Sequence, residues 1–121
     1  MPFTDEELEL IDRAREVRIE TSMPGGTVHR TIIWAVVDGG QVFIRSWRGS
    51  TARWYREAIA NPEVAIHVKK RRMPARAIPA ADTDSVARTS AGLEKKYAGN
   101  PATPSMVVPE IHDTTLRVEG A

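Results

Sequence analysis

The segment Gln41–Pro62, QVFIRSWRGSTARWYREAIANP, decides how this chain is read. An apolar strand pattern through Val42, Phe43 and Ile44 runs into a loop with a Gly49-Ser50 step. A helical stretch follows and stops at Asn61-Pro62, because proline disfavours helical backbone at the residue before it. Ser50 has the chemistry of an N-cap, which predicts a helix over 51–60 with Thr51, Ala52 and Arg53 in its first turn. Between positions 45 and 56 stand four arginines (45, 48, 53, 56) and neither Asp nor Glu. A helix N-terminus leaves amide N–H groups unpaired and is the positive end of the dipole, so a further cation there is unfavourable unless an anion joins it. The pattern predicts a strand–loop–helix anchor for an anion, with phosphate the first choice. The bland alternative is a solvated arginine loop neutralised by Glu57 or by acids of the N-terminal segment.

Upstream, Val28–Val37 carries the near-continuous apolar run TIIWAVV, which predicts one strand buried on both faces. Asp38-Gly39-Gly40 is a hairpin turn leading into a strand over 41–47. Val17, Ile19 and Thr21 alternate as a strand, and Pro24-Gly25-Gly26 is a turn. Thr4 and Glu7 have capping-box spacing at the start of a helix over 4–15. Downstream, Val64, Ile66 and Val68 alternate, which puts His67 on the opposite, solvent side. Lys69–Arg72 reads as an exposed hairpin tip. Met73–Ile78 returns, with Pro74 marking an edge or a bulge. Asp82 caps a helix over 83–97, with Lys95 and Lys96 in its last turn and Gly99 beyond it. Residues 100–113 are Pro-rich and irregular, and Thr114–Glu119 forms a last strand. The expected fold class is α+β, mainly β: one domain over 1–121, a small six-stranded antiparallel barrel with two to three flanking helices.

Composition narrows the function. The net charge of +1 on 121 residues argues against a chain that binds polyanions with its whole surface. Lys69-Lys70-Arg71-Arg72 invites a nucleic-acid reading, but a charged edge guard explains it more simply. Lys70, Arg72 and Arg76 on one side would also suit a polyanionic cofactor tail. There is no cysteine, which excludes disulfides, thiolate chemistry and Cys-based zinc sites. His29, His67 and His112 are scattered over different elements, so no metal site and no Ser-His-Asp arrangement is expected. The start, MPFTDEELEL, lacks the regions of a signal peptide, and no apolar run reaches membrane-spanning length. The expected location is therefore cytoplasmic. Trp54 is read as core and Trp47 as the border of a pocket. Tyr55 is read as a packing residue whose hydroxyl is the alternative proton donor. No side chain stands out as a catalytic acid or base, and the catalytic residues stay unassigned.

Two segments combined, HRTIIWAVVDGGQVFIRS and RGSTARWYREAIANP, resemble the flavin-binding split β-barrel superfamily, the pyridoxamine-phosphate-oxidase-like proteins. The deazaflavin-dependent nitroreductase branch is the nearest within it. The matching residues are Arg30-Thr31-Ile32-Ile33, Ser46, Gly49, Trp54-Tyr55 and Asn61-Pro62. More closely still, the chain is similar to a small family of uncharacterised bacterial proteins (DUF2255-like), with the pattern RSxRGSxxRWYRxAxxxP before a basic strand and a KKY-containing helix. The resemblance covers roughly residues 15–120. It implies a split barrel that forms a homodimer and binds FMN or the deazaflavin F420 at the subunit interface, as an oxidoreductase-like protein. It also leaves room for a non-enzymatic module that binds a small molecule. The implied phosphate site is Arg45, Ser46, Arg48, Gly49, Ser50 and Arg53. The implied ring site is the backbone of Thr31, Ile32, Ile33 and Trp34. Ile32 departs from the pattern, since the deazaflavin branch often has Pro there.

Overall fold

The computed structural model describes residues 2–121. Helix α1 (Asp5–Arg13) starts where the capping box predicts: Glu7 N–H donates to Thr4 Oγ1 at 3.1 Å and Thr4 N–H donates to Glu7 Oε1 at 2.9 Å. Seven strands follow: β1 (Val17–Ser22), β2 (Val28–Ile33), β3 (Ala35–Asp38), β4 (Gln41–Ile44), β5 (Glu63–Val68), β6 (Arg71–Pro79) and β7 (Leu116–Gly120). They form one antiparallel sheet in the order β2-β1-β5-β6-β7-β4-β3. Helices α2 (Arg53–Ala60), α3 (Thr83–Lys96) and α4 (Thr103–Met106) flank it.

The count is seven rather than six because the run 28–37 breaks at Trp34. Ile33 pairs with Val17 of β1, while Ala35 pairs with Ile44 of β4. Two strands consecutive in sequence thus lie at opposite ends of the strand order. The sheet curls into a barrel whose two edges are joined by the chain at Trp34, not by a ladder. The Trp34 ring turns aside and stacks on Tyr97, with centroids 3.9 Å apart and planes 6° from parallel. Burial on both faces holds for Ala35 and Val36 of β3. It fails for β2, where Val28 and Ile32 are 49% and 53% exposed, because β2 is an end strand. The β3–β4 hairpin turns on Gly39 and Gly40 with φ of 58° and 78°, which suits a two-residue primed turn.

Two further expectations are corrected. β5 lies between β1 and β6 and is buried from Val64 to Val68, so His67 is enclosed rather than solvent-facing. β6 is an interior strand, not an edge, and Pro74 costs it nothing. The Pro74 carbonyl accepts from Ala121 N–H on the β7 side, while the β7 pairing begins one residue later at Ala75–Gly120. The missing proline N–H therefore points to where β7 runs out.

The barrel is filled by Ile19, Ile44, Ile66, Met73 and Leu116, with Ile11 of α1 and Trp54 and Ala58 of α2 packed into the same core. Burying each large apolar side chain is worth about 1.5–3 kcal/mol. A second cluster, including Val36, Phe43, Leu93, Tyr97 and Met106, seats α3 and α4 on β3 and β4. Gly92 permits that seat, since a Cβ there would lie 3.1 Å from Val36 Cγ2. Asp82 caps α3 as expected, accepting from Ser85 N–H at 3.0 Å.

Candidate functional site

The segment after β4 builds one wall of a cavity of about 710 Å³. The expected helix over 51–60 is shorter than the sequence suggests, and Ser50 does not cap it. Gly49 takes φ 64°, and residues Gly49–Thr51 form a separate 3-10 turn. Ser46 Oγ donates to Gly49 O at 2.7 Å and Thr51 Oγ1 donates to Arg48 O at 2.8 Å. Ala52 is extended, and α2 begins at Arg53 without a side-chain cap. Both hydroxyls hold this turn, and neither caps α2.

The cavity wall is formed by Thr31, Ile32, Ile33 and Trp34 from the end of β2 through the barrel seam. Arg45, Trp47, Arg48, Thr51, Ala52, Arg53 and Trp54 form a second side, and Ala102 and Met106 close it from the α4 region. Seven of the ten expected site residues thus face one space. The other three do not line it. Ser46 is fully buried, its amide donating to Thr114 Oγ1 at 3.2 Å; Gly49 is buried; Ser50 is exposed away from the cavity. Besides Thr51 and Ala52, read only as residues of a first helical turn, the sequence reading missed Ala102 and Met106. They sit in the Pro-rich segment, where no periodicity marks a wall.

Arg45 behaves differently from an exposed phosphate ligand. It is 2% exposed. Its Nε donates to Thr115 Oγ1 (2.9 Å), Nη1 to Ser90 Oγ (2.8 Å) and Met106 O (3.2 Å), and Nη2 to Val86 O (3.1 Å). Four of its five N–H groups are thereby engaged. All four partners are neutral, and no carboxylate lies within ion-pair distance among the described residues. Burial pushes its pKa down to about 10, which still leaves it charged at neutral pH. A buried cation without a counter-ion is costly, and it raises the positive potential on this wall.

Arg53 reaches Thr31 Oγ1 through Nη2 at 3.4 Å, and its Nε lies 3.9 Å from Glu57 Oε2. The bland reading of the arginine loop holds to that extent. Glu57 is nevertheless shared, for it also accepts from Thr21 Oγ1 at 2.7 Å and faces His29 Nδ1 at 3.0 Å. Burial is the largest single influence and raises its pKa, but the hydrogen bonds from Thr21 and His29 and the charges of His29 and Arg53 together outweigh it and lower the pKa. Arg48 is exposed and has no ion-pair partner among the described residues. The lining holds three arginines and no Asp, Glu, His, Lys or Tyr.

The aromatic side chains divide as expected. Trp54 is buried, and Trp47 is 58% exposed on the cavity wall. Tyr55 packs edge-on against Trp54, with ring centroids 6.1 Å apart, and does not line the cavity. Burial, then the charge of Asp113, raises its hydroxyl pKa.

The three histidines lie apart. His29 faces Glu57, His67 Nε2 lies 2.7 Å from Glu20 Oε1, and His112 Nε2 lies 2.9 Å from Val107 O. In the basic run, Arg71 pairs with Glu6 and Glu7 of α1, and Arg72 with Glu20 of β1. Those two cations are answered by acids, while Lys69 and Lys70 form the turn. No helix among the described residues is long and apolar enough to cross a membrane.

The fold is that of the pyridoxamine-phosphate-oxidase-like split barrels. HutZ, the heme storage protein from Vibrio cholerae, superposes with a TM-score of 0.70 at 14% identity, covering 100% of this chain and 92% of that one. An F420-H2 dependent reductase, FDR-A, gives a TM-score of 0.66 at 16% identity, covering 89% of this chain and 95% of that one. A further F420 reductase gives 0.64 at 18% identity, with 98% and 96% covered. No curated protein sequence matches the chain. A family model described as "Uncharacterized protein conserved in bacteria (DUF2255)" matches residues 7–118, and the chain belongs to this DUF2255 family.

Proposed function

We propose that this protein binds a planar, anionic redox cofactor, FMN or the deazaflavin F420, in the cavity at the barrel seam, and that it is oxidoreductase-like. One observation carries the reading: a cavity of about 710 Å³ lined by tryptophans, apolar side chains and three arginines, with no carboxylate. Its size suits a drug-sized ligand, and its charge asks for an anion. Arg48 and Arg53 are the residues to hold a phosphate. Arg45 adds positive potential from behind the wall and leaves only one N–H to offer. Ser46, Gly49 and Ser50 shape the turn that presents Arg48. β2 is an end strand, so one side of its backbone at Thr31–Ile33 has no strand partner and is free to meet a ring. When bound, the cofactor supplies the hydride chemistry. The exposed Val28 of β2, which lies outside the cavity wall, supports a homodimer in which a second copy covers that end of the strand.

The test is a fluorescence-quench titration with FMN and, separately, with F420, after recording the absorption spectrum of the protein as isolated. Charged hydrogen bonds of roughly 1.5–3 kcal/mol each support micromolar affinity, about −8 kcal/mol. Saturable binding of one compound supports the reading; binding of neither, with no chromophore carried through purification, removes it.

The lack of any lining carboxylate, imidazole, amine or phenol favours a second reading, a non-enzymatic module that stores, carries or senses the cofactor. A loaded protein that is not reduced by NAD(P)H, and passes no electrons to quinones or nitro compounds, decides for it.

A further inference from the structure

We propose that His29 sets how tightly the cavity holds an anion, acting through Glu57 and Arg53; this rests on the anion-binding reading above. His29 does not line the cavity. Its Nδ1 lies 3.0 Å and 3.1 Å from the two oxygens of Glu57. Glu57 Oε2 in turn lies 3.9 Å from Arg53 Nε, and Arg53 Nη2 donates to Thr31 on the cavity wall. A single carboxylate, only 11% exposed, therefore stands between an imidazole and a cavity arginine.

The surroundings leave few other charges to consider. On β1 the residue facing His29 is Thr21, which is neutral and donates to the same carboxylate. On α2 the charged groups are Arg53, Arg56 and Glu57, of which Arg56 lies within ion-pair distance of neither His29 nor Glu57. Among the described residues His29 has no other ion-pair partner. A carboxylate can only accept, so Nδ1 carries a proton in both states of the ring and Nε2 is the position that titrates. With Nε2 protonated, the imidazolium answers the Glu57 charge and leaves Arg53 to the ligand. With Nε2 bare, the carboxylate draws on Arg53 and weakens the potential at the cavity. His29 is thus a positioning residue, and its proton ties anion affinity to pH.

The test compares wild type with His29→Asn, whose amide nitrogen takes the place of Nδ1 and keeps a donor for Glu57 but cannot charge. FMN is titrated at several pH values from 5.5 to 8. The FMN phosphate itself becomes more negative over this range, so the ratio of the two dissociation constants is read rather than either alone. The expected result is wild type binding roughly three- to fivefold tighter at pH 5.5, as for one partly exposed charge contact, and equal binding at pH 8. A ratio that stays constant with pH overturns the proposal while leaving the cavity reading intact. Absence of FMN binding by wild type at every pH fails the cavity reading itself. An NMR titration of His29 gives a check that needs no variant. By reciprocity, saturating FMN is expected to move its midpoint upward by roughly half a pH unit, and an unmoved midpoint overturns the proposal.

Discussion

Arg45 Nε and Thr115 Oγ1 lie 2.9 Å apart across 70 residues of sequence. With Ser90, Val86 and Met106 on the same guanidinium, this contact fastens α3, α4 and the approach to β7 to the end of β4. Arg45→Ala leaves buried acceptors without donors and is expected to destabilise the fold by about 2–4 kcal/mol. Urea unfolding checks this. A variant as stable as wild type excludes the clamp. Ligand affinity is therefore better tested at the exposed positions: Arg48→Ala and Arg53→Ala are expected to weaken FMN or F420 about tenfold each, one charged contact being worth about 1.5–3 kcal/mol before solvent screening.

Acid stability is expected to depend on Glu20. Hydrogen bonding from Arg72 first, then from His67, holds its pKa at about 2 despite burial. The folded state binds fewer protons than the unfolded chain, whose glutamate titrates at about 4.3. The contribution is complete above that value and lost as pH falls towards about 2. Arg72 is half exposed, so screening trims the gain to about 1–2 kcal/mol. Glu20→Gln should lose that amount at pH 7 and flatten the acid limb of a stability–pH curve. An unchanged limb argues against the cluster.

Lys96 joins three parts of the fold: its Nζ donates to Ala35 O at 2.7 Å and to Ile11 O at 3.1 Å. Burial lowers its pKa. Lys96→Met keeps the aliphatic packing and removes both donations. It should cost about 1–2 kcal/mol in chemical denaturation; a neutral result shows that water replaces the ammonium.

Trp47 and Trp54 both line the cavity but differ in exposure. Trp47→Phe is expected to remove much of the quench seen with FMN while leaving the melting temperature in place. Trp54→Phe is expected to lower stability by about 1–3 kcal/mol. The reverse assignment of the two effects counts against the cavity as the binding site.

Val28 lies on the end strand β2 and outside the cavity wall. Val28→Lys should convert a two-chain mass in light scattering to a one-chain mass, with helix and strand content kept. A wild type of one-chain mass removes the homodimer instead.

The sequence announced the elements that local chemistry controls. The Thr4–Glu7 box, the Asp82 cap and the Gly39-Gly40 turn each need only neighbours a few residues away. What it concealed depends on distant partners. Trp34 breaks a strand because β1 claims Ile33 and β4 claims Ala35, and no local signal distinguishes this from a continuous run. His67 is buried because Glu20 and Arg72, 47 and 5 residues away, enclose it. Arginine spacing gathered Arg45, Arg48 and Arg53 around one wall. It gave no sign that Arg45 would spend its donors on α3 and α4.

The seam at Trp34 also bears on the order of assembly. The β1–β2 and β3–β4 hairpins form between neighbours in the chain, and a single residue tethers them. Closing the cylinder waits for β4 to find β7, as in the pairing of Ile44 with Leu116, and such distant pairings are slow to form. If that docking follows the rate-limiting barrier, Val118→Ala should speed unfolding and leave the folding rate nearly unchanged. The barrel would then be three quick hairpins, β5–β6 among them, waiting on its last strand.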